Sequence, residues 1–111
     1  MTIMQTSTIR RDDSLVLSVT GRLDAVTAPE LERDFPAAAA RRLILDLSGL
    51  EYISSAGLRI ILALVKGQKA SGGSLSVCGL SGLVGEVFAV SGFDSFLPIY
   101  PDVEAALAAS A

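Results

Sequence analysis

The sequence predicts an α/β domain: a mixed, mostly parallel sheet of about five strands with about four helices packed on it. Three observations carry this. Strand-like and helix-like runs alternate along the 111 residues, the pattern of parallel strands joined by crossover helices. Half of the residues are hydrophobic, which suits one packed core. Leu43-Ile44-Leu45-Asp46-Leu47 is nearly continuously apolar, as in a strand buried on both faces. A single domain over residues 1–111 is expected.

The elements follow in order. Residues 2–10 alternate weakly and suit an edge strand, and Asp12-Asp13-Ser14 is a turn cluster. Leu15 to Thr20 reads as a second strand closed by Gly21, so the two runs can form a hairpin. Thr27-Ala28-Pro29-Glu30 has the form of a capping box, which starts a helix from about Ala28 to Phe35. The alanines 37–40 suit a helix end or a connection. After the apolar strand at 43–47 and a short loop comes the best helix, about Ala56 to Ala70. Its core stripe is Leu58, Ile61, Leu62 and Val65, at i, i+3, i+4 and i+7. Gly72-Gly73 ends it. Leu75 to Cys78 is a further strand. A helix from about Ser81 to Val90 carries Leu83, Val87 and Phe88 inward and stops at Gly92. Phe96 to Tyr100 is a short last strand, and Asp102 can cap a last helix from Val103 to Ala109.

Composition narrows the function. The net charge is −3 and no basic run exceeds two arginines, which does not suit a nucleic-acid binder. There is no histidine, so a Ser-His-Asp triad and a phosphohistidine carrier are both impossible. No paired catalytic constellation stands out, no metal-ligand set is visible, and no cofactor is expected. One cysteine, Cys78, lies in an apolar run; it excludes an internal disulfide and fits a reducing compartment. The N-terminus lacks the layout of a signal peptide. The longest apolar stretch, Ile60 to Val65, is far shorter than the about 20 residues of a membrane span. A cytoplasmic protein that works by binding, not catalysis, is the expectation.

The segment from Asp46 to Leu58 is the most informative: a buried strand, a short loop, then Ser54-Ser55 at the mouth of an amphipathic helix. A helix N-terminus has unsatisfied N–H groups and partial positive charge, so it accepts a capping hydroxyl and equally a phosphate. Either serine can be the cap. Gly57 costs helix stability. Close packing of helix on strand, or room for a partner or phosphate, would explain it. Asp24 suits a turn or cap acid. Asp46 ends a buried strand, and Glu51 suits solvent. Opposite the core stripe lie Ile60, Ala63, Leu64 and Gly67, an apolar outer stripe that would suit a docking partner.

With these features the sequence resembles the STAS domain family, and within it the bacterial anti-sigma-factor antagonists. The resemblance rests on Gly21-Arg22-Leu23-Asp24 with Thr27-Ala28, on Ser54-Ser55-Ala56-Gly57-Leu58, on Gly72-Gly73, and on Leu80-Ser81 with Val90-Ser91-Gly92-Phe93. It covers nearly the whole chain. It implies a partner-switching protein that binds an anti-sigma factor which is also a serine kinase, with Ser55 as the phosphate acceptor and a serine phosphatase reversing the modification. Asp24 is implied to lie near the phosphorylation loop. Here Ser54 stands where the family commonly has Asp, and Ala56 where it has a second hydroxyl. The docking surface is expected to comprise Asp24, Ser54, Ser55, Ala56, Gly57, Ile60, Ala63 and Leu64. The free protein is expected to be a monomer, with neither nucleic-acid binding nor membrane insertion. The resemblance also allows a STAS subunit of a bacterial lipid-transport ABC complex, a structural partner of an ATPase.

Overall fold

The structure, a computed structural model, describes residues 3–34, 41–95 and 97–109. Thr2, Phe35, the alanines 37–40 and Phe96 lie outside the described residues. The chain runs β1 (Gln5–Arg11), β2 (Ser14–Leu23), α1 (Ala28–Asp34), β3 (Arg42–Asp46), β4 (Leu50–Ile53), α2 (Ser55–Ala70), β5 (Ser74–Cys78), α3 (Gly82–Ser91), a 3₁₀ turn (Phe93–Ser95), β6 (Ile99–Tyr100) and α4 (Val103–Ala109).

The expected opening hairpin is present. β1 pairs antiparallel with β2 from Gln5 opposite Thr20 to Arg11 opposite Ser14. Asp12 makes the turn at φ 55°, a left-handed conformation that a short polar side chain tolerates. Every other pairing in the described sheet is parallel, in the order β1-β2-β3-β5-β6.

The sheet has six strands, not five. β4, read from sequence as loop, pairs with β2 beyond the point where β3 leaves it. The β2–β4 register shifts at Gly21/Arg22, and Gly21 sits at φ +92°, where a Cβ would collide with the Ile3 carbonyl. A four-residue strand, Leu-Glu-Tyr-Ile, gives too short a period-2 signal to stand out from the loop before it.

β3 is buried on both faces, as its composition predicts. Leu43 and Leu45 enter the large core with Leu31 of α1, Ile61, Leu64 and Val65 of α2, and Val84 and Phe88 of α3. Ile44 alternates to the other face and joins Val16, Cys78 and Ala106 of α4 in a smaller core. Cys78 is fully buried. Burial first, then the charges of Asp46 and Asp102, push its thiol up to about 12, so it stays protonated and unreactive.

The helices follow the expected order, with corrections in detail. α2 starts at Ser55, one residue early. Ile61 and Val65 are buried, while Leu58 and Leu62 are half-buried against the core. Leu64, assigned from sequence to an outer stripe, is only 7 % exposed and belongs to the core; Ile60 is half-buried and packs against it. α1 packs alongside α2, so the buried arc of α2 is wider than one sheet contact requires. Ala63 and Gly67 remain exposed. On α3, Val84 and Phe88 point inward, but Leu83 is 58 % exposed. Gly92 ends α3 in the left-handed conformation, and Asp102 caps α4 by accepting from the Ala105 amide at 2.8 Å.

Candidate functional site

Of the residues singled out from sequence, Asp24, Ser54 and Ser55 lie at the C-terminal ends of two parallel strands, the part of an open α/β sheet where binding sites form, while Ile60, Ala63 and Leu64 lie further along α2. Leu23 of β2 lies opposite Ile53 of β4, and the Ser54 amide donates to the Leu23 carbonyl at 3.0 Å. That bond sets the turn after β2, which holds Asp24, beside the start of α2, which holds Ser54 and Ser55.

The turn after β2 is tied by its own side chains. Asp24 Oδ1 accepts from the amides of Val26 and Thr27, at 3.0 and 3.1 Å. The Thr27 hydroxyl donates to the Arg22 carbonyl at 2.8 Å and accepts from the Asp24 amide at 2.9 Å. The capping box expected between Thr27 and Glu30 does not form in that way. The Thr27 hydroxyl is drawn back into the turn, where the Asp24 amide and the Arg22 carbonyl engage it, and the Glu30 amide donates to the Thr27 carbonyl instead. The Thr27 amide, then that of Val26, hold the Asp24 carboxyl below its usual range, with the Thr27 hydroxyl and the Arg22 guanidinium adding to the effect and burial opposing it. Asp24 is thus the turn acid its position suggested.

At α2 the two serines divide their roles. Ser54 has extended backbone, φ −102° and ψ 176°, and accepts from the Gly57 amide at 3.3 Å; it is the N-cap. Ser55 is the first helical residue, and its side chain is exposed. Among the described residues its hydroxyl has no hydrogen-bond partner. Ala56 is half-buried beside it. Gly57 is buried, and a Cβ there would lie 2.7 Å from the Leu23 carbonyl oxygen and 2.9 Å from side-chain carbons of Ile53 and Leu23. Close packing of helix on strand accounts for the glycine. It does not line an open surface.

Sequence reading missed one pair of residues here. Arg22 lies opposite Tyr52 in the β2–β4 register, and its guanidinium carbon stands 4.2 Å from the centre of the Tyr52 ring. Its Nε is 3.6 Å from Asp24 Oδ2. The signal was present only in the pairing with β4, a strand the sequence did not reveal.

The molecule is thus a small mixed-sheet domain that gathers an exposed serine, a turn carboxylate and a stacked arginine at the ends of two parallel strands. The chain belongs to the STAS domain family, whose model matches residues 5–106. It is 41 % identical over 101 residues to BtrV of Bordetella bronchiseptica, provisionally named an anti-sigma factor antagonist, covering 88 % of this chain and 87 % of that one. It is 30 % identical to the anti-sigma F factor antagonist of Paenibacillus polymyxa, over 78 % of this chain and 77 % of that one. The crystal structure of an anti-sigma factor antagonist from Mycobacterium paratuberculosis superimposes with a TM-score of 0.87 at 31 % identity, covering 96 % of this chain and 93 % of the other. Among the described residues, no helix is long and apolar enough to cross a membrane.

Proposed function

We propose that this protein is a cytoplasmic anti-sigma-factor antagonist that acts by partner switching. It binds an anti-sigma factor that is also a serine kinase, and phosphorylation of Ser55 ends that binding until a serine phosphatase removes the group. The observation that carries the reading is the division between the two serines. Ser54 caps α2, and Ser55 stands exposed beside it with its hydroxyl uncommitted among the described residues.

That division also explains how the chain tolerates Ser54 where the family commonly has Asp. The position is the N-cap, and Ser and Asp cap about equally well. The helix start is preserved while the acceptor next to it stays in place. Ala56 removes a second hydroxyl without touching the cap.

The switch acts on the complex, not the fold. A phosphoserine adds a charge of about −1.5 to −2 at neutral pH. In the free domain that charge sits on a helix N-terminus, which favours it. At a docked interface it must be desolvated or opposed by partner charge, and a loss of about 3 kcal/mol weakens binding more than a hundredfold. The docking surface comprises Asp24, Ser54, Ser55 and Ala56, with Ala63 further along α2. The names of the sequence relatives favour this reading over a subunit of a lipid-transport complex.

Incubation with the cognate anti-sigma factor and ATP, followed by phosphopeptide mapping, tests the proposal. Phosphate is expected on Ser55. Phosphate confined to Ser54, or none, overturns the assignment. Ser55→Asp and Ser55→Glu are expected to weaken binding of that partner and to leave the unfolding midpoint nearly unchanged.

A further inference from the structure

We propose that Arg22 is the residue that senses the charge state of Ser55. It balances Asp24 while the serine is unmodified, and moves to the phosphate once the serine carries one. The inference rests on the phosphorylation reading above and adds a regulatory part to the same surface.

The two oxygens of Asp24 do different things. Oδ1 is committed to the turn, through the amides of Val26 and Thr27. Oδ2 faces the Arg22 guanidinium at 3.6 Å. The contact is loose and partly hydrated, with side chains 46 % and 25 % exposed, so it is weak. The remaining hold on Arg22 is the face of Tyr52, again a modest attraction at an exposed position. Arg22 is therefore parked on two weak contacts. The bond from the Ser54 amide to the Leu23 carbonyl fixes its strand end against the residue that precedes Ser55.

A phosphate on Ser55 changes the competition. It offers three strong acceptor oxygens and close to two charges, against one charge on Asp24. A guanidinium binds such a group bidentately, and a charge-assisted pair is about twice as strong as a neutral hydrogen bond. Arg22 then leaves Asp24 Oδ2 and the Tyr52 ring. In the unmodified protein Arg22 and Asp24 sum to zero, a face a partner can cover at little electrostatic cost. In the modified protein the one cation pairs with the phosphate, Asp24 is stripped of its counter-ion, and the face carries nearly two uncompensated charges. Modification thereby alters a second residue of the docking surface.

The ionisable side chains on β2, on the turn after it, on β4, in the first turn of α1 and on α2 up to its second turn are Arg22, Asp24, Glu30, Glu51, Tyr52 and Arg59. Arg59 is the rival. It is exposed on α2, four residues after Ser55, and that spacing brings side chains together on a helix. The test compares the two arginines. Phosphoserine is placed at position 55 during synthesis, so no kinase is needed, and the second ionisation of the phosphate is followed by ³¹P NMR. It lies near pH 6 for a free phosphoserine. It is expected about half a unit or more lower in the otherwise unchanged protein than in Arg22→Gln, with Arg59→Gln close to the former. The upfield ring-current shift of the Arg22 side-chain protons over Tyr52 is expected to be lost on modification. An ionisation that follows Arg59 and ignores Arg22, or a ring-current shift that persists, overturns the proposal. Neither result depends on the partner. A kinase that ignores Ser55 defeats the functional reading and leaves the Arg22 measurement standing, and the converse also holds.

Discussion

α1 and α2 begin side by side at the ends of neighbouring parallel strands, yet their first turns are held by different forces. Before α1 the polar side chains are spent on the fold: Asp24 Oδ1 and the Thr27 hydroxyl between them bind three amides and a carbonyl. Before α2 there is one capping bond, from the Gly57 amide to Ser54, and the rest of the hold is contact, with Gly57 pressed on Leu23 and Ile53. A turn fixed by packing can leave a hydroxyl unspent. That is how Ser55 comes to be both rigidly placed and chemically free.

If packing holds the start of α2, the largest effect lies at Gly57. In Gly57→Ala the new Cβ meets a backbone oxygen at 2.7 Å, which cannot rotate away, so strand and helix must part. A loss toward the upper end of about 1–3 kcal/mol is expected, read as a lower denaturant midpoint. An unchanged midpoint would mean that the contact is easily relieved and that the comparison is drawn in the wrong place.

If hydrogen bonds hold the start of α1, Thr27 should come next. Thr27→Val keeps the shape and removes the hydroxyl, leaving the Asp24 amide and the Arg22 carbonyl without it. Thr27 is 4 % exposed, so water does not readily replace the lost partner, and about 1–3 kcal/mol is expected. Thermal or denaturant unfolding checks it. A neutral result would show that the turn is held by the Asp24 carboxylate alone.

These two positions also mark what could be read in the sequence. Strong local signals were legible: the apolar run of β3, the glycine that stops α3 and the aspartate that caps α4 appear as expected, and Ile61 and Val65 of the α2 stripe are buried. The opening hairpin was legible from its turn residues. β4 was not, because four residues opposite the end of a longer strand carry almost no pattern of their own. Its absence hid the Arg22–Tyr52 contact, which exists only across that pairing. The capping box failed for a related reason: the motif fixes which groups can bond, but the end of β2 offered Thr27 better partners than Glu30 did. Leu64 was misplaced because α1, a neighbour the helix pattern does not encode, widens the buried arc of α2. The placement of Asp24 near the start of α2 was expected from the family resemblance, whereas the split of cap and free hydroxyl between two adjacent serines needed backbone geometry.

A smaller effect follows from the lowered pKa of Asp24. The folded protein holds this carboxyl below the unfolded value of 3.8, so the carboxylate adds stability that is fully present above that pH. The contribution is lost as pH falls through the depressed folded value, where the folded state also takes up the proton. Asp24→Asn keeps an oxygen for the turn amides and removes the charge. The variant is expected to melt below the parent at neutral pH, with the gap closing as the solution is made more acidic than 3.8. A gap that stays constant into acid would assign the stabilisation to the hydrogen-bonded shape of the turn and not to its charge.

The smallest expected effect is the sharpest test of the comparison, because it separates two neighbouring serines. From the sequence, Ser55 could have been the cap, and Ser55→Ala would then have cost the helix its first bond. The geometry moves that loss to Ser54. Ser54→Ala removes the acceptor for the Gly57 amide and is expected to cost about 1 kcal/mol. Ser55→Ala removes a hydroxyl that touches nothing among the described residues and places a good helix former in the first turn, so a change within about 0.5 kcal/mol is expected. Ser55→Glu adds a negative charge next to the helix N-terminus and should be neutral or stabilising by about 0.3–1 kcal/mol. Unfolding midpoints for the three variants, measured in one buffer at low salt, decide the matter. If Ser55→Ala proves the costlier of the two alanine variants, the hydroxyl at position 55 is part of the fold. A phosphate there would then have to break structure before it could break a complex. If the order is as expected, Ser55 can be changed with the fold held constant, and any loss of partner binding in Ser55→Glu belongs to the interface alone.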